Sequence, residues 1–212
     1  MMRITNPRIY CYHILLSLNF LSLFAIIAIL AAILLPSLKL AHEKAKQTIC
    51  ASNMKQNFTS FCIYSSDYTD YYPQLRTIDG SNGDFWHMVL YTHITGRQAT
   101  EKAMDNSIYK CPKVEKYSTW YPGIGMNATI PSVILNLTIW GDYVNKPFKL
   151  HALPSPPPAQ WPLVGNRYNN WFIRSNLIDY MTFNSHGNQG NVLYCDGHVI
   201  GLSRNNWTKI PE

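Results

Sequence analysis

The sequence predicts an α+β protein in which a long N-terminal helix precedes a β-rich head. Three observations carry that expectation. An uncharged apolar stretch, LFAIIAILAAILLP from Leu23 to Pro36, lies near the start of the chain. It runs directly into a basic amphipathic continuation, LKLAHEKAKQTI. From Tyr68 onward, short strand-like runs are separated by Gly, Pro, Asn and Asp, the punctuation of a sheet.

Residues 1–13 read as a basic leader, with Arg3 and Arg8 and no acid, left on the cytoplasmic side of a membrane. Ile14 to Leu35 then supply 22 residues without a formal charge, enough to cross a hydrocarbon layer of ~30 Å. Residues 14–36 are therefore the transmembrane half of the first helix. A cleavable secretory signal would have a shorter apolar core and a small-residue cleavage site. In residues 37–66, Leu38, Ala41, Ala45, Ile49, Met54, Phe58 and Phe61 recur at intervals of three to five and place an apolar stripe on an amphipathic half. The two halves read as one helix from about Ile14 to about Ser66, roughly 80 Å long. It bends at Pro36, where proline deletes a backbone hydrogen bond and crowds the preceding turn. Ser65, Ser66, Asp67, Asp70 and Pro73 stop it.

Residues 67–212 form the head, long enough for one core and too short for two large domains. Phe85 to Ile94 fits a short helix or a strand; Leu153 to Pro162, with five prolines, is a connector; Val164 and Phe172 to Ile178 are strand candidates. The clearest local signal is a hairpin over Asn191 to Leu202, turning at Asp196-Gly197.

The formal charge of +6 is scattered, and its one cluster, Lys39, Lys44 and Lys46, lies just beyond the apolar run. Membrane lipid is the partner this implies, and nucleic acid is not. Cys50, Cys62, Cys111 and Cys195 follow the apolar run as an even set on one side of the membrane. In an oxidising compartment they allow three disulfide pairings, between which the sequence does not choose. No Cys-x-x-Cys spacing points to a zinc ribbon or a dithiol, and no phosphate-cradling glycine loop points to a cofactor.

The segment AIIAILAAILLPSLKLAHEKAKQTICASNMKQ, Ala25 to Gln56, resembles the N-terminal helix of type IV prepilin-like proteins. More narrowly, the chain is similar to a bacterial group, abundant in planctomycetes, that joins a prepilin-type N terminus to a C-terminal His-x9-Asp-Gly motif. Here that motif is His186, nine residues, then Asp196-Gly197, and SSDYTDYYPQL, Cys111-Pro112 and Gly125-Met126-Asn127 lie between the two ends in the family order. The resemblance implies a pilin-like or pseudopilin-like fold, in which the outer half of the helix packs on an antiparallel sheet. It further implies a non-enzymatic envelope protein of a type II secretion or type IV pilus-like assembly. Such a protein is a single-pass protein of the bacterial inner membrane, its head in the periplasm or at the cell surface, joined to homo- or hetero-oligomers through the N-terminal helix. Two positions depart from the family. Ile14 stands where a prepilin peptidase expects glycine, and Asn19 stands where the family has an assembly glutamate. The first argues against leader cleavage in the usual way; the second removes the charge that would pair with a neighbouring amino terminus in a low-dielectric bundle.

His186, Asp196 and His198 are the candidate metal ligands, since imidazole and carboxylate together suit zinc. The favoured reading is structural: Asp196 bonds local amides, Gly197 accepts a positive φ, and His186 bonds across to the same hairpin. No nucleophile with an adjacent base and orienting acid can be assembled, so no catalytic residue is expected. Cys111, in a Lys-Cys-Pro turn, reads as a buried or bridged thiol, because only Lys110 and Lys113 adjoin it in sequence. The alternative to an assembly subunit is a membrane-tethered binding module, whose aromatic-rich head, with six tryptophans, captures polysaccharide or an envelope partner. Asn57, Asn127, Asn136 and Asn206 begin Asn-x-Ser/Thr triplets; Asn57, inside the helix, is a poor acceptor.

Overall fold

The structure, a computed structural model, describes residues 7–77, 84–116, 118, 122–127, 129–135, 146–154, 157–166, 171–172, 186 and 189–203. The chain divides into two units, Met1–Glu43 and Lys44–Glu212, and one helix, α1 (Pro7–Asp67), contributes to both.

The described part of α1 reaches back to Pro7, seven residues before the start at Ile14 that the sequence predicts. Much of the expected leader is thus helical. Pro36 lies inside α1, and the backbone is helical on both sides of it. In the first unit, the large apolar side chains from Phe20 to Leu40 are all exposed. Two polar side chains there are satisfied within the helix: the Ser22 hydroxyl donates to the Asn19 carbonyl at 2.9 Å and Ser37 to Leu34 at 2.8 Å. This helix is the one among the described residues that is long and apolar enough to cross a membrane.

α1 ends at Asp67 through Thr69 and Asp70, both with positive φ, and the Asp70 amide closes back on the Ser65 carbonyl at 2.7 Å. Within the second unit, α1 buries Cys50, Met54, Asn57 and Phe61, spaced four, three and four apart. The expected stripe is thus turned by about one position. Met54 and Phe61 are in the core as the pattern predicts, but Ile49 is half exposed and Cys50 takes its place.

The ambiguous segment after Phe85 is a helix, α2 (Trp86–Thr95), burying Trp86, His87 and Leu90. A short α3 (Glu101–Asp105) is capped by Thr100, whose hydroxyl accepts from the Ala103 amide at 3.3 Å. β1 (Ile124–Asn127) is followed by α4 (Thr129–Ile134). Short 3-10 turns at Leu150–Ala152 and Pro158–Gln160 lead to β2 (Pro162–Asn166), which admits Pro162 as its first residue. β3 (Trp171–Phe172), β4 (Gln189–Tyr194) and β5 (Val199–Ser203) complete a sheet of order β3-β1-β2-β4-β5. The pairs β1–β2, β2–β4 and β4–β5 are antiparallel, with β2 bulged between Pro162 and Val164; β3 is parallel to β1. The predicted hairpin is β4–β5, paired from Gln189↔Ser203 to Leu193↔Val199. Of the strand predicted at Phe172 to Ile178, Phe172 belongs to β3 and the remainder lies outside the described residues.

Side chains on β1, β2 and most of β4 are buried in succession, so both faces of the central strands are covered. On one side lies α1: the Asn191 side chain donates to the Gln47 carbonyl at 2.8 Å, and Gln47 donates to the Gln189 side chain at 2.9 Å. Beside them an aromatic column runs Trp86–Phe61–Tyr72–Phe148, with ring centroids 5.3, 5.5 and 5.8 Å apart.

Candidate functional site

The predicted metal ligands divide between two places. Asp196 and His198 belong to the turn between β4 and β5. There the Asp196 carboxylate accepts from the His198 amide at 3.1 Å and is tightly bonded to His198 Nδ1. The His198 ring stacks on Tyr194 at 4.3 Å. Gly197 carries φ +90, and a Cβ on it would lie 2.6 Å from the Phe58 ring of α1. The local amide bond of Asp196 and the positive φ of Gly197 are those the sequence reading expects of a hairpin turn.

His186 is elsewhere, and its partners are not the predicted ones. Its ring is 1% exposed, held by its own amide, which donates to the Gln189 carbonyl at 3.0 Å just as β4 begins. His186 Nε2 lies 3.3 Å from Cys111 Sγ. Cys50, Cys111 and His186 each offer a ligand atom, and these three atoms lie within 4.8 Å of one another. All three residues are buried. Among the described residues the buried grouping is Cys50–Cys111–His186, and the alternative grouping of His186 with Asp196 and His198 is not formed.

Each member is fixed by its own segment. Cys50 is on the buried stripe of α1. Cys111 is in a turn pinned by its amide donating to the Pro122 carbonyl at 2.9 Å and by the Val114 amide donating back to Cys111 at 3.0 Å. Gly123, at φ +79, lets that turn close on β1, since a Cβ there would sit 2.6 Å from the Cys111 Cβ and 2.5 Å from Val114. Asn166, at the end of β2, ties the parts together. Its Nδ2 donates to Cys50 Sγ at 3.2 Å and to the Gly123 carbonyl at 3.3 Å, while its Oδ1 accepts from the Asn191 amide at 2.7 Å.

Polar hydrogens therefore converge on the sulfurs. Asn166 and Asn191 side chains donate to Cys50, and the Lys113 amide donates to Cys111. The hydrogen bond from Cys50 pulls the Cys111 thiol down to about 5, helped by His186 and the Lys113 amide against the cost of burial. The same pairing, with burial, pushes Cys50 up. Cys50 and His186, which lower the Cys111 thiol, come from distant parts of the chain, and the nearby Lys113 amide adds to them. Cys50, Cys62, Cys111 and Cys195 all carry free thiols in this structure. Cys62 bonds to Tyr72, and burial pushes Cys195 up beside Asp196.

Asn57 and Asn127 are fully buried, so neither is a glycan acceptor in the folded chain; Asn136 and Asn206 lie outside the described residues. Trp86 and Trp161 are core residues. Trp120, Trp140 and Trp207, which a carbohydrate groove would draw on, also lie outside the described residues.

Comparison with family models, with curated proteins and with solved structures finds no match to this chain.

Proposed function

We propose that the chain is a non-enzymatic, pilin-like envelope protein, held in a bacterial inner membrane by α1 with its head outside the cytoplasm, and a subunit of a type II secretion or type IV pilus-like assembly. The observation that carries this reading is the division of labour along one helix. From Phe20 to Leu40, thirteen large apolar side chains are exposed, whereas Cys50, Met54 and Phe61 of the same helix belong to the core of the head. Each large apolar side chain left in water forgoes roughly 1.5–3 kcal/mol. Lipid or neighbouring helices must therefore cover the first stretch. Ala25, Ala28, Ala31 and Ala32 keep part of its surface low enough for a second helix to approach closely. Resemblance of Ala25 to Gln56, and of the His186 to Gly197 motif, to prepilin-like proteins supports the choice of assembly over simple anchoring.

The test is disulfide trapping in native membranes. With Cys11 replaced by serine, Ala28→Cys is expected to give an oxidation-dependent oligomer band. A chain that stays monomeric with cysteine at Ala25, Ala28 and Ala32 in turn is not an assembly subunit. The tethered binding module would then be the better reading.

A further inference from the structure

Cys50, Cys111 and His186 bring two sulfurs and an imidazole nitrogen together from three segments far apart in the chain, within the buried core of the head. Soft sulfur with imidazole is the donor set of zinc and copper sites. Zinc–sulfur bonds of about 2.3 Å and zinc–nitrogen bonds of about 2.0–2.1 Å place ligand atoms roughly 3.5–3.8 Å apart around a tetrahedral ion. The Cys111–His186 separation of 3.3 Å is within a few tenths of that, and the whole group fits inside 4.8 Å. Charge decides between the metals. Two thiolates and a neutral imidazole around a divalent ion sum to zero, the one balance a buried site tolerates without further partners; a monovalent ion leaves a buried negative charge.

The surroundings are those of ligating sulfur. N–H groups from Asn166 and Asn191 reach Cys50, and the Lys113 amide reaches Cys111, the second shell that orients thiolates and disperses their charge. Asn166 is itself locked by β4, so the sulfur it serves is held in place. His186 Nδ1 is buried with no hydrogen-bond partner among the described residues, which leaves the Nε2 edge, facing Cys111, as the working side of the ring.

We propose that Cys50, Cys111 and His186 form a buried zinc site that pins α1, the turn before β1 and the lead-in to β4 to one another. Three protein ligands leave the fourth place to a small donor such as water. At this depth the site is a structural clamp: the binding free energy of the ion adds to the folding free energy of the head. The proposal is independent of the envelope reading, because the site lies wholly within residues 44–212 and requires neither membrane nor assembly.

The experiment is a cobalt titration, followed by zinc displacement, of the full-length chain purified in detergent under reducing conditions. Expected is a thiolate-to-cobalt charge-transfer band that saturates at about one ion per chain and is abolished by zinc. Cys111→Ser and His186→Ala should weaken binding by about tenfold or more, while Cys62→Ser and Cys195→Ser leave it intact. Should those two variants fail to fold, His186→Cys provides the second readout: a third thiolate retains binding and intensifies the band. The proposal is overturned if the reduced wild-type chain gives no band, or if cobalt binding survives in Cys111→Ser and His186→Ala together. Protein isolated from cells with Cys50 and Cys111 joined, lighter by two hydrogens, overturns it as well.

Discussion

Gly197 is the residue at which two constraints meet. Its φ of +90 belongs to the region side chains avoid, and the Phe58 ring occupies the space a Cβ would take. Gly197→Ala is therefore expected to destabilise the head by about 2 kcal/mol, read as a lowered thermal midpoint. Combining it with Phe58→Ala should restore only the steric part, so a double-mutant cycle separates clash from backbone strain. His87 offers a different signature. Burial beside Phe85 and Trp86 lowers its pKa from 6.5 to about 3. In the unfolded chain it regains its ordinary value, so between those limits the unfolded state binds the extra proton. The neutral imidazole costs nothing above pH 6.5, and stability is lost as pH falls from there toward 3. A melting-temperature series from pH 7 to 4 should decline, and the slope should flatten in His87→Leu even though that variant is less stable at pH 7.

At the scale of elements, the second half of α1 acts as the spine of the head. Phe61 is fully buried between Trp86 and Tyr72 in the aromatic column. Phe61→Ala is expected to cost about 3–5 kcal/mol, followed by tryptophan fluorescence, because Trp86 loses its stacked neighbour. Ile63→Ala, on the exposed side, should change stability by less than about 1 kcal/mol. The contrast between these positions was readable in the sequence, since the three-and-four spacing of Met54 and Phe61 fixes the inward face. Ile49 and Cys50 were not separable that way. Adjacent residues differ by about 100° around a helix, and the more apolar of the two was expected inside. Cys50 is inside because Asn166 and Cys111 are there to receive it.

For the whole molecule, what was legible was what is local. The apolar helix and the Asp-Gly hairpin announce themselves within windows of a few residues, because backbone periodicity and turn chemistry are short-range. The candidate site is long-range. Cys50, Cys111 and His186 carry no ligand spacing, and each alone reads as an ordinary core residue. The motif histidine is grouped by sequence with its neighbours Asp196 and His198, whereas its partner atoms come from α1 and the turn before β1. Asn166, which holds the site together, gave no sequence signal at all.

The bond between Gln47 and Asn191 spans 144 residues, and it has a consequence in time. During synthesis the spine emerges first and the strands that cover it emerge last. Phe61 can meet Tyr72 and Trp86 early, whereas Gln47 must wait for Asn191, 144 residues later. Pairings of such sequence separation also close slowly. On the envelope reading proposed above, the leading segment, which needs no tertiary partner to be helical in lipid, inserts before that pair can form. A nascent-chain experiment on that reading would find insertion complete while the Gln47–Asn191 pair is still open.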